Sequence, residues 1–339
     1  MTQLLRFSLL MFIVAGLFAA DLQAQTTPKY DEMRSLLKRD FMSISFLHQS
    51  EFNFSLDDDN YNGGRGFDLG AQRLDVRGQL DSQFLYRFQL EFRNSPTILD
   101  AQLGYRVSPD FHVMFGAFKP FVSIDLDPNP GATDFINRAR LVGTMMNSRE
   151  IGITALGSPG NWNYRFGVYN GTGLTRDNDN RFMYTGRLAY HVPVEDGRLN
   201  VGVSGFLNQT ENARVGRSGL TSEGDRYLYG GFVQFDRGMF ISSFELLQTR
   251  FDAVELSGDE ETITSFFITL GLQVTDNTQL LVRWDYLDYD LTDRQSDLFI
   301  LGWNYQATRT FSFQVNASAE FNEFGDNFSG ISGLMQFQF

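Results

Sequence analysis

Charged residues crowd one stretch of this chain. "KPFVSIDLDPNPGATDFINRARLVGTMMNS", residues 119–148, carries Asp125, Asp127 and Asp134, then Arg138 and Arg140, with Lys119 at its head. Upstream, Arg73, Arg77, Arg87 and Arg106 stand at alternate positions, opposite in parity to the apolar residues around them. A guanidinium keeps its charge and grips carboxylate or phosphate through a planar fork. Carboxylates and guanidinia facing each other across a water-filled passage set ion preference by attraction and by the transverse field between them. The chemistry on offer is therefore selection rather than catalysis. Each arginine has an alternative in pairing within the wall, to Asp75, Glu91, Asp100 or Glu150.

Other chemistries find little support. Cys is 0, so thiolate sites and disulfides are excluded. The histidines are His48, His112 and His191, and none has an evident serine and acidic partner nearby in sequence, as an esterase would need. No His, Asp and Glu spacing suits a metal, so neither metal nor cofactor is expected. "DDD" (Asp57 to Asp59) and "DNDN" (Asp177 to Asn180) could offer oxygen ligands to Ca²⁺, or be solvated loop tips. The net charge of -13 argues against nucleic-acid partners. An esterase-like barrel enzyme and a structural or adhesive barrel are the alternative readings to a pore.

The elements that must position these charges read as strands. Aromatics make up 15% of the chain, Gly is 32 and Pro only 8. Apolar and polar residues alternate in "FMSISFLHQSEFNFSL", "QFLYRFQLEFR", "NWNYRFGVYN" and "TFSFQVNASAEF", so each strand has one apolar and one polar face. The runs last about 9–12 residues, the span of a tilted strand across a bilayer. Short turns ("SPD" at 108–110, "GSPG" at 157–160, "DRG" at 236–238, "TDN" at 275–277) alternate with mostly longer polar loops. These features predict an all-β transmembrane antiparallel barrel over 41–339, with about sixteen strands. Its partners would be outer-membrane lipid and small anionic or neutral solutes.

The 119–148 stretch then falls between the fifth and sixth strands, as the third external loop. Its apolar residues (Phe121, Ile124, Phe135, Ile136, Leu141, Val142, Met145) predict a loop folded into the lumen; a hairpin cap or an interface loop is the alternative. Trp162, Trp284 and Trp303 are expected in interfacial girdles. Residues 1–24 have a basic start at Arg6, an apolar run from Phe7 to Ala20 and a small residue at Ala24, a signal-peptide pattern. Residues 25–40 read as a periplasmic lead-in in which Met33, Leu36 and Leu37 could share the face of a short helix, or as a disordered linker. The ending "ISGLMQFQF" reads as a last strand that must pair with the first, its terminal Phe339 resembling an assembly signal.

"NSPTILDAQLGYRVSPDFHVMFGAFKPFVSIDL", "FINRARLV", "SREIGI", "YNGTG" and "DNDNRFMYTGRLAYH" occur in that order. Together they resemble the phosphate-selective porin O and P family, most densely from Arg73 to His191. The resemblance implies a sixteen-stranded outer-membrane porin, usually a homotrimer, that passes small hydrophilic solutes. It also implies phosphate selection by lumen arginines and a lysine cluster. Beyond the lead-in this chain has one lysine, Lys119, and its presumed lumen faces alternate acid with arginine, which fits a general pore with mild anion or mixed preference equally well.

Overall fold

The computed structural model describes residues 28–39, 41–56, 64–175, 179–292 and 294–339. The expected signal peptide at 1–24, the "DDD" tip and part of "DNDN" lie outside the described residues. Sixteen long antiparallel strands make one closed ring. They are β1 Met42–Ser55, β2 Arg65–Gln79, β3 Phe84–Glu91, β4 Thr97–Ser108, β5 Phe111–Phe118 and β6 Glu150–Gly157. Then come β7 Trp162–Tyr169, β8 Met183–Val192, β9 Gly197–Asn208, β10 Thr221–Arg237 and β11 Phe240–Ala253. The ring finishes with β12 Glu260–Thr275, β13 Thr278–Tyr289, β14 Arg294–Gln306, β15 Phe311–Asn322 and β16 Phe328–Gln338. Two-residue pieces pair at the margin, Lys38–Arg39 with β1 and Ala213–Arg214 with β10. A helix, Pro28–Leu37, precedes the ring, within the stretch read as lead-in helix or linker.

Alternation explains why these segments are strands and which way they face. Leu103, Phe115, Phe166, Val203, Leu270 and Leu301 are exposed, whereas Gln49, Asp75, Gln89, Asp100, Glu245, Arg283, Asp285 and Asn316 are buried. Apolar outside and polar inside inverts the soluble pattern and suits a wall that faces lipid. Strand lengths spread more widely than expected: β3, β5, β6 and β7 have 8 residues and β10 has 17. The short pair β5 and β6 flanks the longest connection, 119–149, which takes over residues that would otherwise lengthen them.

One rim carries the short turns, among them 80–83, 109–110, 158–161 and 238–239; the other rim carries the longer loops. The seam is β16 against β1, from Gly330 opposite Ser55 to Gln338 opposite Leu47. Phe46 and Phe339 exchange backbone hydrogen bonds of 3.2 and 3.0 Å beyond it. Ser332 and Gln336 are buried and Met335 is exposed, in the expected sense, while Leu334 joins the inward set.

Apolar packing joins the long connection to the wall. Val122, Ile124, Leu126, Leu141, Val142 and Met145 cluster with Tyr169, Phe206, Phe232, Leu247, Phe267 and Tyr289 from the wall. Phe135 sits in a second cluster with Leu281 and Ile300. The apolar residues of the long connection are thus core residues, and that is why a loop carries them.

Candidate functional site

The 119–149 segment is fastened by its own charges. Lys119 Nζ donates to the carbonyls of Leu126, Asp127 and Pro128 at 2.8, 2.8 and 2.7 Å, folding the segment back on itself. Burial, and then the Arg138 and Arg149 guanidinia, pulls Lys119 down to about 6, while three carbonyl partners match the three donors of the ammonium. Arg138 braces the same turn by donating to the carbonyls of Asp125 and Pro128 rather than to a carboxylate.

From this turn, contacts spread to many strands. Glu245 on β11 accepts from Ser123 Oγ at 2.6 Å and from the Ile124 N–H at 2.9 Å. Asp125 holds Arg283 on β13 at 2.9 Å, and Asp127 holds Arg165 on β7 at 3.0 Å and Arg187 on β8 at 2.6 Å. Arg87 on β3 reaches Asn129 at 3.4 Å; Gln49 on β1 and Gln336 on β16 donate to the carbonyls of Pro130 and Gly131 at 3.2 and 3.1 Å. Gln314 and Asn316 on β15 and Asn304 on β14 bind the backbone of Thr133, Ile136 and Asp134. Arg140 closes the set, at 3.1 Å from Asp285 and 2.9 Å from Glu320.

The predicted wall arginines divide. Arg73 pairs with Glu91 at 2.9 Å, and Arg87 pairs with Asp75 at 2.8 Å and Asp100 at 3.0 Å, so wall pairing accounts for both. Neither Arg77 nor Arg106 bonds to the long segment among the described residues, although Arg77 lines a cavity with Asn129 and Pro130. Each lies two residues from the short-turn end of its strand; Arg77 is 3.9 Å from Asp75 and Arg106 donates to the Ser82 carbonyl at 3.4 Å. Asp134 binds through its carbonyl, and burial pushes its carboxyl upward. Trp162 opens β7 with its ring 4.8 Å from that of Tyr190, and Trp303 stacks on Tyr305 at 5.8 Å near the short-turn end of β14. Trp284 stands in the middle of β13 and donates to Asp297 at 2.6 Å.

Two cavities share a border. One of 480 Å³ is lined by Gln49, Glu51, Arg73, Arg93 and Pro130; the other, of 50 Å³, by Ser45, Arg73, Arg77, Asn129 and Pro130. Arg73 and Pro130 line both.

The profile of the family described as "Phosphate-selective porin O and P" matches residues 44–221, more than half of the sequence. The chain belongs to that family. This porin is a passive diffusion channel of the outer membrane. Its fold is shared with an outer membrane protein of Vibrio cholerae, OmpT, solved in a trimer form (TM-score 0.68, 12% identity, 88% of this chain and 99% of that one). It is similarly close to an anion-selective porin from Comamonas acidovorans (TM-score 0.66, 15% identity, 88% and 99%) and to OprB of Pseudomonas putida (0.64, 9%, 92% and 97%). No curated protein matches the chain in sequence.

Sequence reasoning missed several of the porin's charged residues: Arg149, Arg165, Arg187, Glu245, Arg283 and Asp285. All but Arg149, which ends the long connection, occupy inward parity on strands, and the signal was there in "NYRFGV", "TGRLAY" and "LVRWDY". A second loop was also missed. Arg217 in 209–220 donates its N–H to the Gly143 carbonyl at 2.7 Å, and Val215 and Leu220 are buried beside the helix Arg140–Met145.

Proposed function

We propose that residues 119–148 lie across the lumen as a constriction, so that small hydrophilic solutes diffuse through the waist between Arg73 and Pro130. The observation that carries this reading is the partner set of the segment. It bonds to β1, β3, β7, β8, β11 and β13 to β16, strands spaced round a closed ring that a segment outside could not reach together. The wall arginines are mostly neutralised by carboxylates, which supports a mild anion or mixed preference over strong phosphate selection. We read residues 1–24 as a signal peptide, 25–40 as a periplasmic lead-in and the assembly as a homotrimer.

Single-channel conductance with reversal potentials in a salt gradient tests the reading, and a non-conducting barrel would sink it. Arg73→Ala leaves Glu91 unpaired at the waist, so the reversal potential is expected to move toward cations. Arg106→Ala, at the rim, is expected to change it little. Equal effects of the two would remove the waist from the mechanism.

An esterase reading has one observation on its side. Ser50 Oγ is 3.0 Å from His48 Nε2, and His48 Nδ1 is 2.6 Å from Gln72 Oε1. The group points outward from the middle of β1, between the exposed rings of Phe46 and Phe52, where a lipid-facing wall supplies no water. Gln72 is neutral and would not stabilise the imidazolium of a working triad. A channel without covalent chemistry is the reading we keep.

Phe339 is proposed as an assembly determinant. Its deletion removes the two backbone bonds to Phe46 at the seam. The amount of folded porin in the membrane is expected to fall, with the conductance of each surviving channel little changed; normal membrane levels would count against this role.

A further inference from the structure

We infer that the porin holds short organic dicarboxylates at a second site, between the helix Arg140–Met145, the 209–220 loop and the inner face of β14 and β15. The inference rests on the channel reading above and names a solute class for it. A cavity of 310 Å³ lies there, a size suited to a small ligand. Its lining brings together Arg138, Arg140 and Arg217 from two different loops. Arg140 is neutralised by Asp285 and Glu320. Arg138 spends its guanidinium on carbonyls, and Arg217 has no carboxylate partner among the described residues. Asp125, which accepts from the Ala139 N–H at 2.7 Å, stands beside Arg138, so Arg217 is the guanidinium left without a carboxylate at the cavity.

The remaining lining shapes the ligand. Leu298 and Ile300 form an apolar side. Asn316 and Ser318 add polar groups, Asn316 holding the Ile136 N–H through its Oδ1 at 2.9 Å. The Arg217 guanidinium packs against the backbone of Gly143, where an added Cβ would come within 2.4 Å of Nη2. A glycine there keeps room for the arginine. Guanidinia toward the carboxylates and an apolar strip under the methylenes suit a glutarate-like anion better than inorganic phosphate.

The test is block of chloride current through single channels of the full-length porin by added glutarate, with inorganic phosphate as comparison. Glutarate is expected to block more strongly than phosphate. Arg217→Gln is expected to weaken that block about tenfold, the scale of one lost charge-assisted hydrogen bond. Arg250→Gln, which removes a surface arginine paired with Glu260, is expected to leave the block unchanged. Equal block by phosphate would overturn the ligand class. Undiminished glutarate block in Arg217→Gln, or no block of a conducting wild-type channel, would overturn the site. Absence of any channel current would instead overturn the porin reading beneath it.

Discussion

Asp127→Asn is expected to shift the reversal potential strongly toward anions and to raise conductance. One oxygen of Asp127 takes both Arg165 and Arg187, at 3.0 and 2.6 Å. Among the described residues the other oxygen has no partner, so the pairing capacity of this carboxylate goes to those two guanidinia. Arg187 is largely buried, and its Nε likewise lacks a partner among the described residues. Removing one member of a buried pair costs about 3–5 kcal/mol because the charge left behind is uncompensated. Asparagine keeps the shape and one acceptor but cancels the charge, and two arginines are then left without a counterion. Dissolved anions would take that place. An anion-to-cation permeability ratio unchanged from wild type would show that these arginines do not border the path.

Arg283→Ala is expected to loosen the long segment while leaving the barrel standing. Arg283 is 1% exposed and lies between two rings, 4.5 Å from the Phe135 centroid and 4.6 Å from that of Phe267. It also holds Asp125 at 2.9 Å and Thr269 at 3.0 Å. Truncation removes two cation–π contacts, opens a void and leaves Asp125 unpaired. Each of these carries about 1–3 kcal/mol, and they act on the same anchor. The strand ladders are untouched, so heat resistance of the barrel should persist. The expected result is larger single-channel conductance together with protease cleavage within 119–148. Arg283→Met, which restores volume without charge, should recover only part of the anchoring. Wild-type conductance and protease resistance in Arg283→Ala would remove the anchor from the account.

Much of the fold is legible because a barrel writes its period into the chain. Phe84, Tyr86 and Phe88 against Arg87 and Gln89 give facing directly, and turn lengths give the side of each rim. The long segment declares itself through apolar residues such as Phe135 and Leu141, which a solvated loop would not carry. Partner choice is far less legible. Asp127 meets Arg187 across 60 residues and Asp125 meets Arg283 across 158, pairings that depend on the path of a loop with no period of its own. Local register matters too. β1 and β2 slip between His48, opposite Gln72, and Ser50, opposite Leu69, a shift that counting along the sequence does not capture. Arg217 was hidden for another reason: its loop is polar in composition, and Val215 and Leu220 are too few to mark it as packed.

The seam between β16 and β1 carries a consequence for how the porin comes into being. Every other neighbour in the ring follows the last in sequence, so hairpins can form one after another. At the seam Gln49 meets Gln336, 287 residues away, and closing a loop of that length costs only about 5 kcal/mol in entropy. The cost grows slowly with length, so the seam takes little from final stability. Its weight falls on timing. Until β16 docks, the sheet has two raw edges, each a template for another chain. The last strand to arrive thus governs how long a sticky, open intermediate survives.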